Sequence, residues 1–200
     1  MTELGETLAA LGLPATRLAA LTDYAGLFQK WNQRINLSAA RSARDLEDHI
    51  IDCLHLVPHL RAASARPPTI PEWLDVGAGG GLPAAIVAIC FPEAHIVALE
   101  PVHKKHAFLR AVARELGLPN LDPRAERLED HARHDYAAAM SRATLDLRDW
   151  LTLGLGRVVA GGFVFGFEAV PRSDLPAGTQ RYPYSHGAKS RAIVALQRPA

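Results

Sequence analysis

The sequence has almost no excess of charge of either sign: 22 lysines and arginines stand against 21 acids, a formal net charge of +1. Composition therefore gives no footprint of a nucleic-acid partner. Cysteine is scarce. Cys53 and Cys90 both fall in apolar helical patterns, which reads as two buried thiols rather than a disulfide scaffold. No apolar run reaches the roughly 18 residues of a membrane span, and Pro83 and Arg157 interrupt the two best stretches. Basic residues are missing from Met1–Gly12, where a secretory signal needs them, so a cytoplasmic protein with no membrane partner is expected. Internal repeats and low-complexity segments are missing too. What remains, 48% apolar and 22% charged residues over 200 positions, is the make-up of an ordinary globular domain with a real core.

The charge that is present is unevenly placed. Beyond Glu168 the chain holds Arg172, Arg181, Lys189, Arg191 and Arg198 against Asp174 alone, either a footprint for an anionic partner or a solvated surface. The nine histidines do not make a metal site. His55 and His59, His103 and His106, and His131 and His134 give no pair of pairs at zinc spacing, and His49 with Asp52 reads as a polar tie between two parts of the chain.

The first part of the chain is helical in pattern. Tyr24, Leu27, Phe28, Trp31 and Ile35 recur at helical spacing, as do Leu46, Ile50, Leu54 and Val57, with Pro58 expected to end or bend the second helix. The stretch Ala62 to Pro68 is the most linker-like and sets the expected boundary: a helical extension over 1–66 and a main unit over 67–200. After it strand and helix signals alternate. Strands are expected over Ile70–Val76, His95–Leu99, Asp135–Met140 and Gly162–Phe167, with a last, edge-side strand at Ile193–Leu196. Helices are expected over Leu82–Cys90, Val102–Leu116 and most of Leu145–Val159. Such alternation predicts an α/β fold, a mostly parallel Rossmann-like sheet with helices on both faces.

Asp75 and the glycines Gly77, Gly79, Gly80 and Gly81 follow the first strand, and Leu82 with Pro83 opens the next helix. In a doubly wound sheet this turn is where a ligand sits. Two ligand classes use such a loop. Gly79, Gly81 and Ala84 fit the loose dinucleotide pattern G-x-G-x-x-A, which keeps a nicotinamide-dependent oxidoreductase in view. Glu100, ending the second strand, suits a ribose diol in either class. Asp75 tips the balance: a carboxylate there repels a pyrophosphate but complements the positive charges of S-adenosylmethionine. A plain capping role for Asp75 is the structural alternative.

Among methyl transfers, carbon-5 methylation of cytosine needs an exposed nucleophilic cysteine, and neither cysteine follows a strand in a loop. Amine methylation commonly uses an Asn/Asp-Pro-Pro-aromatic turn after the fourth strand, where this chain has Ser141-Arg142-Ala143. An acceptor that is already nucleophilic, such as a purine N7, remains. It needs orientation and charge stabilisation more than a base.

Trp31-Asn32, Asn36-Leu37-Ser38, Asp48-His49, Asp52-Cys53-Leu54, the loop from Leu74 to Pro83, Lys104 with Phe108-Leu109, Arg127-Leu128-Glu129 and Ser141-Arg142-Ala143 occur in order over roughly residues 20 to 168. As an ordered set they resemble the GidB family, ribosomal small-subunit methyltransferase G, which methylates guanine N7 in 16S ribosomal RNA. The resemblance implies S-adenosylmethionine as methyl donor and 16S ribosomal RNA or the small ribosomal subunit as partner. The sequence does not fix the oligomeric state, for which a monomer is favoured. It implies that Gly77 and Leu82 contact the donor while Gly79 and Gly81 shape the loop, that Glu100 holds the ribose, and that Leu128 (through its backbone) and Glu129 lie by the adenine. It places Arg142 at the mouth of the donor site, orienting the acceptor, and Asn36, Lys104 and Arg127 in the same cleft or on its RNA-facing rim. Arg191, from the basic tail, is a further candidate for that rim. The chain departs from the family's pattern at Phe167-Glu168-Ala169, where Leu-Lys-Gly is usual, at Ala84 for glycine and at Cys53 for serine. Glu168 is the largest of these, an anion for a cation near the expected RNA face. A third reading follows from it: a protein that binds the donor but has lost RNA methylation.

Overall fold

The computed structural model describes residues 2–38, 40, 42–63, 71–187 and 189–200. Helices α1 (Glu3–Ala10), α2 (Arg17–Ile35) and α3 (Ala43–Ala63) precede strand β1 (Glu72–Val76). The expected domain boundary after residue 66 and the first residue of the expected strand, Ile70, lie outside the described residues. There follow α4 (Ala84–Cys90), β2 (His95–Leu99), α5 (His103–Glu115), β3 (Leu121–Arg124), β4 (Tyr136–Met140), α6 (Leu147–Gly154), β5 (Val158–Glu168), β6 (Gln180–His186) and β7 (Lys189–Gln197). The seven strands form a single sheet in the order β3-β2-β1-β4-β5-β7-β6. Strands β1 to β5 pair in parallel, and β7 joins β5 and β6 antiparallel. The Rossmann-like expectation holds.

Side-chain alternation divides the core. Trp73, Ile96, Ala98 and Ile193 pack on one face with Leu8, Tyr24, Leu54, Ile86 and Phe108 from α1 to α5. Leu74, Val76, Val97 and Val194 pack on the other with Trp150 and Leu151 of α6. The helical extension thus shares its core with the main sheet.

Four expectations change. The strand at Ile193–Leu196 is longer and is not at the edge: β7 is covered by β6, which was not expected. Strand β3 was not expected either. Both edge strands carry a proline, Pro123 in β3 and Pro183 in β6, which hid them as strands and is tolerated only where one side of the ladder is open. The helix expected over Leu145–Val159 stops at Gly154, passes through a short 3-10 helix at Leu155–Arg157, and gives way to β5 at Val158. There the β4–β5 register slips between Tyr136 and Ala138, with Gly161 at φ +76°. Finally, of the two outcomes expected at Pro58 the helix does not end there: α3 runs through it to Ala63. Burial of Leu54, Leu56, Val57 and Leu60 there outweighs the one backbone bond that proline removes, since each buried leucine is worth about 2 kcal/mol.

Candidate functional site

Strand order reverses between β1 and β4, and in an open α/β sheet a crevice opens at the carboxyl ends of such a pair. The loop after β1, Gly77 to Gly81, and the segment after β4, Ser141 to Thr144, flank that crevice. Both are pinned from below. Ser141 Oγ donates to the Val76 carbonyl at 2.8 Å, and Thr144 Oγ1 to the Gly77 carbonyl at 3.1 Å.

The glycines of the loop serve different needs. Gly77 has φ +70°, and a Cβ there would overlap the Thr144 side chain. Gly79 has φ +56°, and a Cβ there would make only an ordinary contact with the Gly77 carbonyl at 3.8 Å, whereas a Cβ on Gly80 would run into the Phe28 ring. The buried Tyr24 hydroxyl donates to the Gly80 carbonyl at 2.6 Å, so α2 braces the loop from behind. Neither Tyr24 nor Thr144 was expected at the site; in the sequence Tyr24 is one more member of an apolar helical stripe.

Glu100, nearly buried, accepts from the Gly79 and Val102 amides at 2.8 Å each, so one carboxylate ties the loop to the end of β2. Asp75 is wholly buried. Its Oδ2 accepts from the Ala84 amide at 2.9 Å, while Oδ1 has no hydrogen-bond partner. Burial, opposed by the Ala84 N–H and reinforced by the charge of Glu100, pushes its pKa up to about 7. The capping role weighed for Asp75 is present. Pro83 is the residue before the helix rather than its first, after a cis Leu82–Pro83 peptide.

A cavity of about 340 Å³ is walled by Gly77 to Gly80, by Leu82, by Leu37 and Ser38 after α2, and by His49, Lys105, Arg142, Ala143 and Thr144. Of the two neighbouring lysines, it is Lys105 that lines it, while Lys104 is exposed one residue earlier on α5. Asn36 and Arg127 are also exposed. Leu128 packs at the ends of β1 and β2 with Val76 and Leu99, its carbonyl accepting from Arg157 at 2.8 Å, and Glu129 beside it is exposed.

A second cavity, about 230 Å³, opens on the far side of Arg142. Arg142 and Ala143 line both. Here the walls are side chains: Phe167, Glu168, Trp150, Tyr184, Arg191 and Asp52. Ala143 is held at φ +58°, a left-handed conformation that costs a residue with a Cβ about 1–2 kcal/mol. Arg142 Nη2 donates to His49 Nδ1 at 2.7 Å and lies 3.3 Å from Asp52 Oδ2, and its guanidinium stands 5.7 Å from the centre of the Phe167 ring. Because arginine only donates, His49 Nδ1 is unprotonated. Burial, then the charge of Arg142, holds the His49 pKa below the usual histidine value.

The basic tail is not a free cationic surface. Arg172 pairs with Asp146 and Asp174, Lys189 with Asp48, and Arg191 with Asp52. Arg181 pairs with Glu168 at 3.1 Å. Glu168 is buried, also caps the Arg172 amide at 2.9 Å, and so does not stand as a bare anion on the surface. Cys53 and Cys90 are buried thiols, each pushed up to about 12 by burial.

The family model described as rRNA small subunit methyltransferase G, GidB, matches residues 17–198. The chain is 37% identical over 205 residues to the ribosomal RNA small subunit methyltransferase G of Burkholderia pseudomallei, covering 98% of this chain and 84% of that protein. The Burkholderia thailandensis protein of the same name is also 37% identical, with 98% and 85% covered. Among solved structures, a putative O-methyltransferase from Klebsiella pneumoniae matches with a TM-score of 0.59 at 14% identity, over 88% of this chain and 90% of that one. An S-adenosylmethionine-dependent O-methyltransferase from Thermotoga maritima matches with a TM-score of 0.54 at 13% identity, over 77% and 65%. At these identities the two structures speak for the fold alone.

Proposed function

The chain belongs to the GidB family, rRNA small subunit methyltransferase G, and from that premise we propose that it moves the methyl group of S-adenosylmethionine to N7 of a guanine in 16S ribosomal RNA. The observation that carries the division of labour is Arg142, which lines both cavities. The glycine-loop cavity takes the donor and the Phe167–Glu168 cavity takes the base. The loop fits the donor: at Gly79 a Cβ would meet nothing closer than the Gly77 carbonyl at 3.8 Å, and Asp75 keeps an unpaired buried oxygen beneath it.

When bound, the donor supplies an electrophilic methyl on a sulfonium. Gly77, Gly79, Gly81 and Leu82 shape its seat, Asp75 favours its positive charge, and Glu100 holds the loop with lone pairs left for a ribose diol. Leu128 and Glu129 close the adenine side. Arg142 orients the base across the shared wall, with Phe167 as an apolar face for it. N7 is nucleophilic without losing a proton, so no side chain has to act as a base. Lys104, Arg127 and Asn36, all exposed, form the RNA-facing rim, where phosphates dominate affinity, and Arg191 meets it from the wall of the base cavity. Among the described residues no helix is long and apolar enough to cross a membrane, and a cytoplasmic monomer acting on RNA or the small subunit is the reading we adopt.

Deleting the gene and mapping N7-methylguanine in the small-subunit RNA tests the reading. Loss of one modified guanine, restored by the gene, is the expected result. Unchanged methylation would contradict it and leave a donor-binding protein. Calorimetry with S-adenosylmethionine and with a nicotinamide dinucleotide checks the donor independently; only the first is expected to bind.

A further inference from the structure

The geometry points to Asp52 as the positioning residue that locks Arg142 and Arg191 into one cationic wall of the base cavity. The inference rests on the reading of that cavity given above.

Asp52 sits in the middle of α3 and is 2% exposed. Its Oδ2 receives both guanidiniums, Arg142 from the segment after β4 at 3.3 Å and Arg191 from β7. Its Oδ1 accepts from the Tyr184 hydroxyl of β6 at 3.0 Å. One carboxylate thus gathers three donors from three separate elements, and all four residues line the same cavity. A carboxylate buried this deeply persists only when paired and hydrogen-bonded. The converse holds for the arginines: two adjacent guanidiniums repel, and without an anion between them they would splay apart. Asp52 offsets one of their two positive charges, so the wall presents a net charge of one, at a fixed place. His49 and the Phe167 ring steer Arg142 from its other sides. Asp52 is also a tie between α3 and the sheet, and a mere tie predicts different kinetics.

The test uses the full-length protein with small subunits isolated from a strain lacking the gene. In Asp52→Asn the methyl-transfer kcat is expected to fall on the order of 10- to 100-fold, as a displaced orienting group does. The KM for the subunit is expected to stay level or drop, because the cavity gains a positive charge, and donor affinity is expected to stay level. If Asp52 acts through Arg142, Asp52→Asn combined with Arg142→Lys is no slower than the slower single variant. Multiplying losses, or a raised KM with unchanged kcat, would overturn the proposal while leaving the cavity reading intact. An unchanged kcat in Arg142→Lys would overturn both. Should Asp52→Asn fail to fold, Tyr184→Phe takes away the hydroxyl that donates to Oδ1 and keeps the ring; a lowered kcat at level KM supports the proposal and an unchanged kcat overturns it.

Discussion

On one side of Arg142 the wall centres on the turn from Gly77 to Gly80, four residues consecutive in the chain, with Leu37, Ser38, His49, Leu82, Lys105 and Thr144 around it. On the other side it is side chains brought from α3, α6, the end of β5, β6 and β7. The first cavity is shaped by what glycine lacks. The second is shaped by what charged groups demand: Asp52 pairs with Arg142 and Arg191, and Glu168 with Arg181. A donor common to many reactions suits a seat built around one short segment. A particular acceptor suits a seat whose walls change independently, strand by strand.

The largest effect is expected where the backbone wall is filled. Gly77→Val forces a β-branched residue into a left-handed conformation and against Thr144, and calorimetry is expected to show donor affinity falling more than about 100-fold. Gly79→Ala, with no clash and only the conformational cost of about 1–2 kcal/mol, is expected to lose roughly tenfold. Equal losses at the two positions would break the account of that wall. On the side-chain wall, Arg142→Ala is expected to slow single-turnover transfer on the order of 100-fold while donor affinity changes only a few-fold.

A smaller effect crosses from one region to the other. Tyr24→Phe strands the buried Gly80 carbonyl, and denaturant unfolding is expected to show a loss of about 1–2 kcal/mol, with donor affinity down a few-fold. Smaller still is a proton. Asp75 has a pKa near 7 against an ordinary value of 3.8, so between those values the folded chain holds a proton that the unfolded chain does not. Stability therefore falls as pH rises through that window. A cationic donor favours the carboxylate, so calorimetry in two buffers of different ionisation heat is expected to show a fraction of a proton released near pH 7. Uptake instead of release would contradict the role given to Asp75.

The same contrast explains what could be read in the sequence. The glycine turn, Asp75 and Glu100 were legible because loop chemistry is local, and the strand–helix alternation gave the sheet for the same reason. Strands β3 and β6 were not, since Pro123 and Pro183 suppress the signal and only their place at the edges makes them possible. Asp52 and Tyr184 lie 132 positions apart and Arg191 and Asp52 139 apart, and no pattern in the chain links them. Glu168 read as an anion facing RNA; its partner Arg181, thirteen positions on in a strand that was itself hidden, turns it inward. Tyr24 read as core, and it is core; its hydroxyl is what acts on the loop.

The division of the two cavities is tested most directly by a crystal structure with S-adenosylhomocysteine bound. The account predicts the ligand against Gly77 to Gly80 and Leu82, with the cavity beside Phe167 and Glu168 left open to the base. Ligand seated in the Phe167–Glu168 cavity, with the glycine turn bare, would contradict it.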